Sequence, residues 1–87
     1  MVIEKVTIKN EQGLHMRPAG VLAKAITKYP CDVILVVGEK EVNAKSIMII
    51  IGACIKCGME IEIKCNGEQE EEAMQTVKEL VESGFGE

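Results

Sequence analysis

Histidine occurs once in this chain of 87 residues. It is His15, within Gly13-Leu14-His15-Met16-Arg17-Pro18-Ala19, and its imidazole is a nucleophile that is neutral near pH 7. Arg17 lies two residues on and supplies a fixed cation whose donor fork fits phosphate oxygens. A helix beginning here would present backbone N–H groups with no intrahelical partner, and its dipole would favour an anion. Together these residues describe a group able to carry phosphate. A histidine before a helix is equally a cap residue, and an arginine equally a solvated one, so spacing alone leaves both readings open. Gly13 and Pro18 restrict the backbone on either side, as presentation of one side chain at a fixed angle requires. The site is expected to be a shallow, open surface rather than a pocket, so that bound phosphate can leave.

Two further groups could react. Cys54-Ile55-Lys56-Cys57 has the C-x-x-C spacing of a redox pair or of half a zinc site, which Cys31 and Cys65 would complete only if the fold gathered all four. A thiol redox or zinc module at Cys54 and Cys57 is therefore a rival reading from another functional class. The sequence shows no secretion signal and has ample aliphatic residues for a core, so reduced thiols and a cytoplasmic location are expected. Ser46 precedes an apolar run and is a natural helix N-cap.

Positioning these groups falls to elements that the periodicity outlines. Met59-Glu60-Ile61-Glu62-Ile63-Lys64-Cys65 alternates apolar and charged residues and predicts a strand with one buried face. Val2 to Ile8 and the apolar run Val33 to Val37 predict two more, and Gly38 turns the second toward a hairpin partner at Glu41-Val42-Asn43. Ala19, Leu22, Ala23 and Ile26 form the stripe of a helix from Pro18 to Lys28. A second helix runs from Gln69 to Ser83, with Glu70, Glu71 and Glu72 in its first turn and Gly84 as its stop. Ser46 to Gly52 fits either a buried strand or a helix of one to two turns. The order of elements implies an antiparallel sheet with helices on one face.

Composition sets the outer bounds. The length suits a single domain, residues 1–87, and 47% hydrophobic residues suffice for one small core. One Tyr, one Phe, no Trp and a net charge of −4 argue against nucleic-acid binding, which needs clustered cations and stacking surfaces. No run approaches the roughly twenty apolar residues that span a bilayer.

The His15 segment resembles the active-site signature of HPr, the histidine-containing phosphocarrier family of the bacterial sugar phosphotransferase system. Asn43-Ala44-Lys45-Ser46-Ile47-Met48 resembles that family's regulatory serine segment, in register and without a gap. The resemblance covers the whole chain. It implies an α+β open-faced β-sandwich, a four-stranded antiparallel sheet with three helices on one face, and thus a helix at Ser46–Ile51. It further implies that His15 takes phosphate on Nδ1 from phospho-enzyme I and passes it to IIA domains of sugar permeases. Arg17 and the backbone N–H groups of Met16 and Arg17 would bind the phosphate, and Ser46 would be modified by an HPr kinase/phosphorylase. The seryl-phosphorylated form would engage a catabolite-control transcription factor.

Such a carrier has no enzymatic turnover of its own, needs no cofactor or metal, and can act as a monomer. A regulatory HPr paralogue serving a nitrogen-related or signalling chain is the nearer alternative. Ile47, Met48 and Ile51 are the candidate docking residues, since so short a helix cannot bury every apolar side. Three positions depart from the family pattern: Met16 where a small residue or Thr is common, Ile49 where a glycine is frequent, and Cys54 where a glycine is common.

Overall fold

The computed structural model describes residues 1–86. Four strands, β1 (Val2–Thr7), β2 (Asp32–Val37), β3 (Lys40–Asn43) and β4 (Glu60–Asn66), form one sheet in the order β1-β4-β2-β3. Every neighbouring pair is antiparallel. Three helices, α1 (Met16–Ile26), α2 (Ile47–Gly52) and α3 (Glu70–Glu82), and a 3-10 turn at Gly84–Gly86 complete it. The alternation of β4 sets the layering: Ile61, Ile63 and Cys65 are buried, while Glu60 is exposed and Glu62 and Lys64 are half-buried. Register carries this across the sheet. Cys65 lies opposite Val2 and Val33, Ile63 opposite Leu35, and Ile61 opposite Val6, all on the face that packs under the helices. The other face is open, with Ile3 exposed and a Lys64–Glu41 ion pair of 3.3 Å lying across it. This is the α+β, open-faced architecture that the resemblance implies.

Each helix presents its apolar stripe to that layer. α1 buries Ala19, Leu22, Ala23 and Ile26, and Lys45 Nζ donates to the carbonyls of Tyr29 (2.6 Å) and Cys31 (2.8 Å) in the chain that follows it. α3 buries Ala73, Met74, Val77 and Val81. Its acidic first turn is anchored by Glu70, whose carboxylate accepts from Gly67 N–H (3.1 Å) and pairs with the Met1 ammonium (2.9 Å). Those two contacts hold the Glu70 carboxyl below its usual range.

The ambiguous segment Ser46 to Gly52 is the helix α2, with Ile50 wholly buried. Ser46 occupies its N-cap position and its carbonyl accepts from Ile50 N–H at 3.0 Å, but its side chain makes no capping hydrogen bond. Ile50 and Ile51 stand on the side of the helix that faces the core, and Ile47, three and four positions before them, is exposed at its edge toward α1. Ile51 is half-buried against the core, whereas Met48 and Ile49 on the opposite side are exposed.

Candidate functional site

The site is built on a junction of three segments remote in sequence. Gly13 N–H donates to the Asn10 carbonyl (3.0 Å), and Leu14 N–H donates to the Ile55 carbonyl (2.9 Å). Asn10 Nδ2 donates to the Gly84 carbonyl at 2.8 Å. Gly13 has φ +68°, and a Cβ there would collide with the Ile55 carbonyl oxygen and approach Lys56 Cα at 2.7 Å. Glycine is therefore required on two counts, left-handed backbone and closeness to the 55–56 loop. Leu14, 3% exposed, pins the segment into the core immediately before His15.

His15 is the N-cap residue of α1, with extended backbone (φ −80°, ψ −165°) and its carbonyl accepting from Ala19 N–H at 3.0 Å. Its imidazole makes no capping hydrogen bond, which removes the simple cap reading that spacing left open. The half-buried ring stands on the wall of an open depression of about 780 Å³ lined by Lys9, Asn10, Glu11, Gln12, His15, Met16, Arg17 and Gly84. The expected shallow surface is thus a concave one, because residues 9–12 and the 3-10 turn rise beside the start of α1. Arg17 is exposed and has no ion-pair partner among the described residues. Lys9 adds a second cation to the rim, bridging to Glu82 at 3.0 Å.

Sequence reasoning named His15, Met16 and Arg17 but missed Lys9, Asn10, Gln12 and Gly84. They reach the depression through loop geometry and a contact spanning 74 positions, which no local pattern encodes. Met16 (70% exposed) at the site and Ile47 (39%), Met48 (74%) and Ile49 (49%) on α2 are the apolar residues of the α1 and α2 surfaces left in water, Ile49 on the side of α2 toward β3. Ile47 leans toward α1, its Cδ1 within 4.0 Å of where a Cβ on Gly20 would stand.

The four cysteines are free and fall into two pairs. Cys31 and Cys65 are buried, and burial, with the neighbouring Cys31 and Glu70, pushes the Cys65 thiol up to about 11. Cys54 and Cys57 are exposed on the loop after α2, so the four are not gathered. Among the described residues no group of three or more His, Cys, Asp or Glu is placed to hold a metal ion. Cys54 has φ +55°, so the loop keeps the left-handed backbone that a glycine would adopt there.

A family model described as the PTS HPr component phosphorylation site matches residues 2–83. The chain belongs to the HPr family. It is 40% identical over 74 residues to the phosphocarrier protein HPr of Mycoplasma capricolum, covering 85% of this chain and 83% of that one. It is 34% identical to the HPr-like protein Crh of Bacillus subtilis over 94% of this chain and 96% of the other. The crystal structure of HPr from Thermoanaerobacter tengcongensis superposes with a TM-score of 0.95 at 37% identity, covering 100% of this chain and 98% of that one. This chain is accordingly an HPr-type phosphocarrier of the phosphotransferase system, with the fold of that family.

Proposed function

We propose that the phosphate is carried on His15, taken from a phosphorylated enzyme I and passed to IIA domains of sugar permeases in the cytoplasm. The observation that carries this reading is the placement of the chain's one imidazole at the N-cap of α1, where it makes no capping hydrogen bond and His15 lines the same depression as Arg17. As a P–N bond forms to the His15 ring, the donor's bond to that phosphorus breaks. Handing on to the acceptor is the same exchange reversed, so the carrier ends unchanged and turns over no small molecule by itself. The Met16 and Arg17 backbone N–H groups and the Arg17 guanidinium meet the incoming negative charge. The width of the depression leaves the phosphate accessible to the next partner.

Partners dock on the apolar surface beside the site, through Ile47, Met48 and the half-exposed Ile51. A kinase acting on Ser46, whose half-buried side chain is not spent on capping, would add a dianion at the edge of this surface. Binding of that form to a catabolite-control transcription factor is part of the same proposal.

Incubation with enzyme I and labelled phosphoenolpyruvate tests the central step. Acid-labile label is expected on the wild type and absent from His15→Ala. An unlabelled wild type, under conditions that label a control HPr, overturns the reading. Arg17→Gln should retain labelling but slow it by about ten- to a hundredfold, the loss of one charge-assisted contact.

A further inference from the structure

We propose that Cys54 and Cys57 are a modification site: they form a reversible disulfide by exchange with a low-molecular-weight disulfide, and the bridged form takes up phosphate slowly at His15. Both thiols are exposed and lie three positions apart on one loop, while Cys31 and Cys65 are sealed in the core. No third ligand joins Cys54 and Cys57 among the described residues, which favours a dithiol over a metal site.

The residues between them support the His15 segment. The Ile55 carbonyl receives Leu14 N–H at 2.9 Å, and Gly13 sits against Ile55 and Lys56 so closely that no Cβ fits between. In the reduced protein the two sulfurs face different acceptors, Cys54 Sγ the Gly52 carbonyl and Cys57 Sγ the Lys9 carbonyl, each at 3.8 Å. A disulfide requires the sulfurs at about 2 Å, so closure ties the two ends of the 54–57 loop together and constrains what lies between them. That constraint acts on Ile55, which holds Leu14, and, through Cys57, on Lys9, which lines the depression beside His15.

The chemistry balances without further reactants. One thiolate attacks a sulfur of the small disulfide and expels a thiolate, giving a mixed disulfide. The second protein thiolate then attacks the protein sulfur of that bond and expels the other small thiolate. Two electrons pass from the cysteine pair to the small disulfide, and two protons leave the protein thiols. The effect on uptake rests on His15 being the phosphoryl acceptor, whereas the bond and its mechanical effect do not.

The test equilibrates the whole chain with mixtures of reduced and oxidised glutathione, counts thiols by alkylation and maps bonds by mass spectrometry. The Leu14 and His15 amide resonances are followed in parallel. Two of the four thiols should be lost, with the bond in the peptide containing Cys54 and Cys57, and both amides should shift. Uptake from phosphoenolpyruvate and enzyme I should fall on the order of tenfold and recover with dithiothreitol. The double variant Cys54→Ser/Cys57→Ser should match the reduced wild type and ignore glutathione disulfide. Four thiols remaining, a retained glutathione adduct, a bond elsewhere, or a Cys54–Cys57 bond that leaves amides and uptake unchanged each overturn the proposal. Shifted amides in a protein that neither redox form can phosphorylate would instead overturn His15 as acceptor, leaving the disulfide standing.

Discussion

Position 13 shows how one backbone angle governs the placement of His15 two places on. Gly13→Ala must place a Cβ into the Ile55 carbonyl at a positive φ, so the change should cost about 2 kcal/mol or more in urea unfolding and also slow phosphate uptake. Cys54 gives the opposite case. It holds φ +55° with an exposed side chain, so Cys54→Gly should leave stability unchanged or raise it by up to about 1 kcal/mol, by the same measurement. The two substitutions probe loops in mutual contact yet carry opposite signs, which separates steric closeness from backbone strain. The placement of His15 and Arg17 at the start of α1 and the need for glycine at 13 were legible because residue type and spacing carry them. The roles of Lys9, Asn10 and Gly84 were not, since they enter the site only through the Asn10–Gly84 hydrogen bond and the course of the 9–12 loop.

Among the elements, the two long helices and the alternating β4 declared themselves through period, but α2 did not. Six residues, nearly all apolar, span less than two turns, and neither a period of 2 nor one of 3.6 can be distinguished over that length. The HPr resemblance supplied the helix, and its register then decided the faces: Ile50 inward at 0% exposure, Met48 outward at 74%. A charge on the outward side should therefore separate docking from folding. Met48→Asp is expected to leave the urea midpoint within about 0.5 kcal/mol of wild type. It should still weaken binding to enzyme I several-fold by calorimetry, because a carboxylate would have to be desolvated at an apolar contact. Ile50→Asp should instead abolish folding. An unchanged affinity for the Met48 variant would remove α2 from the docking surface.

At the scale of the whole molecule, Glu70 and Cys65, whose ionisation the fold shifts in opposite directions, lie at one corner. There β1 begins opposite Cys65, β4 ends, Gly67 turns against Cys31, and Glu70 opens α3 while holding the Met1 ammonium. Glu70 is depressed in the fold, so its contribution is present above the ordinary glutamate range and lost as pH falls through the lower folded value. Cys65 is raised from 9.0 to about 11, so it acts in the other direction: its contribution is complete below about 9 and lost as pH climbs toward about 11, where the unfolded thiol has ionised and the folded one has not. Urea midpoints measured across pH should therefore fall on both sides. Glu70→Gln should lower stability at neutral pH and converge with wild type as pH falls through the lowered folded value, where the carboxyl loses its charge. Cys65→Val, close in size and unable to ionise, should flatten the alkaline limb by an amount of the order of 2 kcal/mol while leaving the acid limb intact. If the alkaline limb persists in that variant, the corner's sensitivity to base lies in another group than Cys65.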